Sequence, residues 1–280
     1  MLKKLFDFFL FSSLFIAGCA VLMVHQTAQL LHLHYNSLVC YGFVFFSTIC
    51  SYNFHWYLTP DVPSEEVRIG WTQRHKKLHL FLCFTGLAGA AAGALYFIQH
   101  WFWLGGAVLL TFLYSAPKVP LYPFTLLRRI AVGKTIFLAF VWMYVTTFLP
   151  IIFSNQPWQR ADTLLCGSRF FLIYAICIIF DYRDRLADKK EGIRSMITYF
   201  SEKGINRLFW ISLGLFASCT AAMLQTGFSW FAVGALLVPG VITGCLYSYS
   251  KHHFSDYLYY FVLDGLMALA ALFTTFGPNG

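Results

Sequence analysis

Between positions 181 and 191 the chain reads DYRDRLADKKE, eight charges in eleven residues, immediately after an unbroken apolar run. On a helix, Asp181, Asp184 and Asp188 fall within an arc of about 60°, stacked over two turns. Carboxylates sharing one face repel unless a cation sits among them. Hard divalent ions take oxygen ligands, and Mg²⁺ typically uses one or two carboxylates together with the phosphate oxygens of a substrate. The basic side chains among and after them, Arg183, Arg185, Lys189, Lys190 and Arg194, have the chemistry to hold those phosphates. Gly192 permits the turn that folds the segment back. A solvated loop of mixed charge is the alternative reading. Against it stands the position, because ionisable residues at membrane depth tend to mark function.

The elements that must position these groups are membrane helices. Of the 280 residues, 59% are hydrophobic and 11% charged, against about 25% charged in soluble domains. Apolar runs long enough to cross a hydrocarbon core of about 30 Å recur near 6–26, 36–56, 78–98, 101–116, 130–152, 164–180, 206–226, 229–248 and 257–276. The fold class is therefore an all-α integral membrane bundle of about nine transmembrane helices, in which the fourth run is short and the sixth carries Arg169. Lys and Arg set the orientation. With Lys3 and Lys4 in the cytosol, Arg68, Lys76, Lys118, Arg129, Arg183, Lys190, Arg207 and Lys251 fall on the same side, and Arg160 faces the other. This places the N-terminus and the aspartates at the cytosolic face, as in a bacterial-type cytoplasmic membrane. The net charge of +8 reflects topology, and no nucleic-acid partner is implied. The first run mimics a lipoprotein signal ending at Cys19, but Asp7 interrupts it and its apolar part continues to Val24, so it reads as the first span. All eight cysteines lie in apolar segments without a C-x-x-C pair and read as small buried hydrophobes.

Two signatures recur four spans apart. LYSAPK at 113–118 ends the fourth run and LYSYSK at 246–251 ends the eighth; YNFHWYLTPD at 52–61 ends the second and FDYRDRLAD at 180–188 ends the sixth. The two separations are nearly equal, which implies a parallel duplication. The expected organisation is one domain over 1–280, with helices 1–4 over about 6–116, helices 5–8 over about 130–248, and helix 9 over about 257–276. Its polar clusters would face each other across a pseudo-axis.

DYRDRLADKKEGIRS resembles the second aspartate-rich motif of the UbiA superfamily of intramembrane prenyltransferases, through Asp181, Asp184, Asp188, Gly192, Arg194 and Ser195. LYSAPK resembles the Tyr-Ser-x-Pro signature of that family, with Tyr114 and Ser115 in the matching positions. The resemblance implies a helical bundle around a central cavity and a polyprenyl diphosphate bound through Mg²⁺ between two aspartate motifs. It further implies transfer of the prenyl group to a membrane-soluble acceptor, aromatic or lipid. Metal stabilises charge on the departing diphosphate, and aromatic faces shield an allylic cation, with Tyr114 the first candidate for that lining.

The first motif departs from the pattern. Where the family has N-x-x-x-D-x-x-x-D, this chain has Asn53, Tyr57 and Asp61, and Pro60 ends the helix just before the last of them. Loss of the central carboxylate predicts that one metal site is weak or absent. His55 lies on another face of the helix and reads as a hydrogen-bonded interfacial residue. The resemblance gives Asp184, Asp188 and Asn53 as metal ligands, and Asp181, Asp184, Asp188, Asn53 and Asp61 as the catalytic set. The candidate substrate-binding residues are Arg68, Tyr114, Ser115, Lys118, Arg183, Lys189 and Arg194. Lys134 lies in the fifth run, where a charge is expensive unless it faces a cavity. His32 and His34 belong to the opposite face. Asp264, inside the last run, has no partner evident in the sequence. Two alternatives stay open: a catalytically impaired relative that binds isoprenoid lipids, and a small membrane transporter.

Overall fold

The computed structural model describes residues 1–60, 66–118, 134–190 and 199–275, and every element in them is helical. In chain order these are α1 (Leu2–Phe11), α2 (Leu14–Leu30), α3 (Ser37–Tyr57), α4 (Val67–Arg74), α5 (Lys76–Tyr96), α6 (Trp101–Ser115), α7 (Lys134–Met143), α8 (Leu149–Phe153), α9 (Arg160–Lys190), α10 (Glu202–Ala222), α11 (Trp230–Ser250) and α12 (Asp264–Thr275). A π-helical turn, Tyr144–Phe148, joins α7 to α8, and another, Leu258–Leu263, leads into α12. Side-chain caps start three of the long helices: Asn36 accepts from the Val39 N–H, Ser201 from Gly204 and Ser229 from Ala232.

Among the described residues seven helical segments are long and apolar enough to cross a membrane, and the α1–α2 pair is an eighth candidate. The expected count of nine is not confirmed among the described residues, for two reasons. The first run is broken by a 58° bend at Ser12 and Ser13, where Ser13 takes the left-handed conformation at φ 71. The fourth, α6, is 15 residues long, about 22 Å of helix, and falls short of the hydrocarbon thickness.

The centre of the bundle is α9. Its apolar stretch is 61% buried, against 17% for α5, which lies at the periphery. Leu172, Ile173, Ile176, Ile178 and Ile179 of α9 join Met23, Phe209, Phe216, Tyr259 and Leu263 in the main core. The most extensive helix pairs are α3 with α5 and α9 with α10. At the first of these, Gly86 is obligatory: a Cβ there would lie 2.6 Å from the Cys50 backbone nitrogen. Gly89 and Gly93 press in the same way against Phe46 and Phe43, so α5 meets α3 backbone to side chain with little between them.

Backbone groups inside the bundle are satisfied by neighbours. Pro150 has no N–H to offer the Thr146 carbonyl four residues earlier, and that carbonyl instead accepts the Thr27 hydroxyl of α2 at 2.9 Å. Because α9 begins at Arg160, Arg169 lies well inside the span. It does not sit in the flanking segment, where the sequence leaves room for it. It is 4% exposed and donates to Gln26 Oε1 at 2.9 Å, while Gln26 donates to Thr274. A neutral carboxamide thus receives the guanidinium. The Thr27 hydroxyl also lies 2.9 Å from the Met23 carbonyl, and Thr27→Val, which removes the donor shared by the two carbonyls, is expected to cost about 1–3 kcal/mol. Thr27→Ser should be near neutral, and thermal unfolding in detergent compares the two.

Candidate functional site

α9 continues to Lys190, so Asp181, Asp184 and Asp188 do lie on one continuous helix, and their separate surroundings differ. Asp181 is buried, 7% exposed, and accepts the Thr135 hydroxyl at the start of α7. Asp184 stays open: its side chain is 34% exposed and its Oδ1 lies 2.7 Å from Arg183 Nε. The backbones of Asp188 and Lys189 are helical, and their side chains lie outside the described residues, as does that of Lys134. Asp61, Gly192, Arg194 and Ser195 lie outside them altogether.

Facing Asp184 is a ladder of alternating rings and guanidinium groups. The Arg68 guanidinium of α4 lies 4.0 Å from the Trp56 ring centroid and 4.1 Å from that of Tyr260. On the far side of the same stack, Arg183 donates to the Tyr260 hydroxyl at 3.1 Å and lies 4.6 Å over Tyr259. The π-helical turn makes this possible by presenting the adjacent residues Tyr259 and Tyr260, both buried, to the end of α9. Arg68 is 3% exposed. Its guanidinium is pulled below its ordinary pKa by burial, opposed by Tyr260, Asp264 and Asp256. Its backbone N–H is held by Asp256 Oδ2 at 2.9 Å, which caps α4 from a distant part of the chain. Glu66, just before α4, has its carboxyl pushed up by burial, against the lowering effect of Arg183. Asp264 lies in the electrostatic reach of Arg68 and Arg183.

Around the ladder sit the residues of the Tyr-Ser-x-Pro signature. Tyr114 stacks on His55, with centroids 5.2 Å apart, and Ser115 Oγ lies 3.5 Å from His55 Nδ1. Lys118 donates to Thr59 Oγ1 at 3.0 Å and to the His55 carbonyl at 3.4 Å, with its ammonium 5.3 Å from the Trp56 ring. His55 is therefore the hydrogen-bonded residue the sequence suggests, and Arg68, Lys118, Arg183 and Asp184 are all drawn to one end of the bundle.

Asn53 is turned away from this group. Its Nδ2 donates to the carbonyls of Ser12 at 3.1 Å and Ile49 at 2.8 Å, and its Oδ1 lies 2.7 Å from His79 Nδ1. Fully buried and bonded at both ends, it braces α3 against α5 and the α1–α2 bend in this arrangement, with its oxygen on His79. Tyr57 is 37% exposed. The arc of α3 that faces the site runs instead through Tyr52, His55 and Trp56 and leads to Thr59 just past the helix end. Among the described residues no three His, Cys, Asp or Glu side chains converge as a metal centre. Sequence reasoning passed over Trp56, Asp256 and Tyr260. The signal for the last was the aromatic run DYLYYF ahead of Asp264.

The structure matches that of a UbiA homologue from Aeropyrum pernix K1, in its apo form, with a TM-score of 0.64 over 95% of this chain and 94% of that one, at 11% identity. It also matches a structure of digeranylgeranylglyceryl phosphate synthase with a TM-score of 0.57 over 98% of each chain, at 13% identity. No protein-family model and no curated protein sequence matches the chain. The protein is an integral membrane protein with the all-helical fold of UbiA-type proteins.

Tyr260→Phe is expected to keep the ring stack and lose the hydrogen bond from Arg183, destabilising the protein by about 1.5–3 kcal/mol. Tyr260→Ala removes both and should cost more, and unfolding curves of the two variants separate the contributions.

Proposed function

We propose that the protein is a UbiA-type prenyltransferase that moves a prenyl group from a polyprenyl diphosphate to a membrane-soluble acceptor. The observation that carries this reading is the gathering of Asp184, Arg183, Arg68 and Lys118 beside an aromatic wall, at the end of a fold shared with digeranylgeranylglyceryl phosphate synthase. Guanidinium and ammonium groups bind a diphosphate by charge-assisted hydrogen bonds. The faces of Tyr52, Tyr114 and Trp142, the last donating to the Tyr52 hydroxyl at 3.1 Å, suit a developing allylic cation.

Magnesium fits the α9 side of this site. Asp184, with Asp188 one turn further on, has the hard oxygen donors for one ion shared with diphosphate oxygens. Asn53 does not fit, because its carboxamide is committed to Ser12, Ile49 and His79. A bound Mg²⁺ stabilises charge on the leaving diphosphate. The chain's own residues do the rest: Arg68 and Lys118 stand in for positive charge where the first motif lacks its carboxylate, and the rings exclude water from the reacting carbon.

A second reading, an isoprenoid-lipid binder without transferase activity, is favoured by Tyr57 in place of the central carboxylate. Purified protein with Mg²⁺ is expected to bind geranylgeranyl or farnesyl diphosphate, and Asp184→Asn to weaken that binding at least about tenfold. Absence of any Mg²⁺-dependent affinity for either diphosphate would overturn both isoprenoid readings and return transport to consideration. Release of diphosphate in the presence of a lipid extract separates transfer from binding. In the same assay Tyr57→Asp is expected to raise Mg²⁺ affinity if Tyr57 stands where the motif carboxylate belongs.

A further inference from the structure

A cavity of about 250 Å³ opens at the other end of the bundle, between the end of α2, the segment entering α9, the turn that links α10 to α11, and the end of α12. Asp162 in its wall lies on α9 about 28 Å along the helix axis from Asp181, so this cavity is separate from the diphosphate site.

Its polar wall is rich in oxygen acceptors. Gln29 contributes a carboxamide whose oxygen is buried without a hydrogen-bond partner. Gln156 uses its amide nitrogen on the His32 carbonyl at 3.1 Å, which leaves its oxygen as the group available to a ligand. Asp162 is 6% exposed. One of its oxygens accepts from the Gln159 N–H at 2.7 Å and caps α9, and the other has no hydrogen bond to the protein. Among the described residues no Lys or Arg lines the cavity, and His32 is the basic side chain in its lining. Arg160 is engaged by Gln225 at 3.0 Å, and Arg169, two turns further along α9, by Gln26. A nearly buried carboxylate in the same cavity lining as an unpaired carboxamide oxygen, with neither Lys nor Arg among the described lining residues, is costly unless a ligand supplies positive charge and donors.

We propose that this cavity binds a primary ammonium group. An R–NH₃⁺ carries one positive charge and three donors, which match the Asp162 carboxylate, the Gln29 oxygen and the Gln156 oxygen. Anions are repelled by Asp162, and a quaternary ammonium would leave the Gln29 oxygen unpaired. Leu30, Leu31, Phe228 and Phe231 also line the cavity and suit the alkyl stem of such a group. The amine has two possible sources, the head group of an ethanolamine phospholipid and a soluble alkylamine.

Delipidated full-length protein in detergent, titrated with phosphatidylethanolamine, phosphatidylcholine of the same acyl chains, and free ethanolamine, tests this by native mass spectrometry and competition. Phosphatidylethanolamine is expected to bind about tenfold or more tightly than phosphatidylcholine. Asp162→Asn, which keeps an oxygen to cap α9, and Gln29→Leu should each remove most of that preference with unchanged circular dichroism and gel filtration. Competition by ethanolamine identifies the amine itself as the ligand, whereas lipid preference without ethanolamine binding identifies a head-group site. Equal retention of the two lipids with no ethanolamine binding would overturn the proposal. So would a folded Asp162→Asn that keeps the wild-type preference. If Asp162→Asn does not fold, the wild-type lipid comparison and Gln29→Leu decide the question.

Discussion

The site depends on a guanidinium that has exchanged water for aromatic faces. Arg68 is almost wholly buried between Trp56 and Tyr260, and a buried cation is tolerated only when something replaces its hydration. Here the replacement comes from three parts of the chain: the end of α3, the π-helical turn before α12, and Asp256, which holds the Arg68 backbone. The helix carrying Arg68 has eight residues, too few to be stable alone, so its position is dictated by these partners and by Trp71, which packs on Phe8 and Phe11 of α1. Among the described residues Arg68 Nε and Arg183 Nη1 are buried without hydrogen-bond partners, which adds to the cost that the aromatic faces offset.

α9 and α3 meet this ladder with unlike chemistry. From α9 come carboxylates and Arg183; from α3 come Tyr52, His55 and Trp56. The corresponding Tyr-Ser ends differ too. Lys251 forms an ion pair with Glu202 at 2.8 Å and donates to Asn206, whereas Lys118 lies against Thr59 and the Trp56 ring. On the α10 side the ammonium is thus paired with an acid, and on the α3 side it lies against an aromatic face.

Apolar run length and charge asymmetry made the helical membrane architecture readable, because both are period-independent properties of long segments. The charged face of α9 was readable for the same reason that any helical face is: spacing alone fixes it. What spacing did not reveal was which arc of α3 points inward. Asn53 and Trp56 differ by about 60° around the helix axis, and the choice between them is made by Gly86, Gly89 and Gly93 on α5, which draw that helix in and take Asn53 with it through His79. The Ser12–Ser13 bend was equally hidden, since both halves of the run are apolar and nothing in their composition marks a break. Tyr260 escaped notice because its role rests on a π-helical turn, which shifts the register of side chains by a residue relative to a regular helix.

The glycine contact has a mechanical consequence. Where a missing Cβ lets two helices touch backbone to side chain, neither can rotate or slide without a collision, so α3 and α5 act as one stiff beam. Any widening of the bundle to admit a long lipid chain must then come from other elements. The segments interrupted by π-helical turns, before α8 and before α12, are the ones whose irregular backbone can yield.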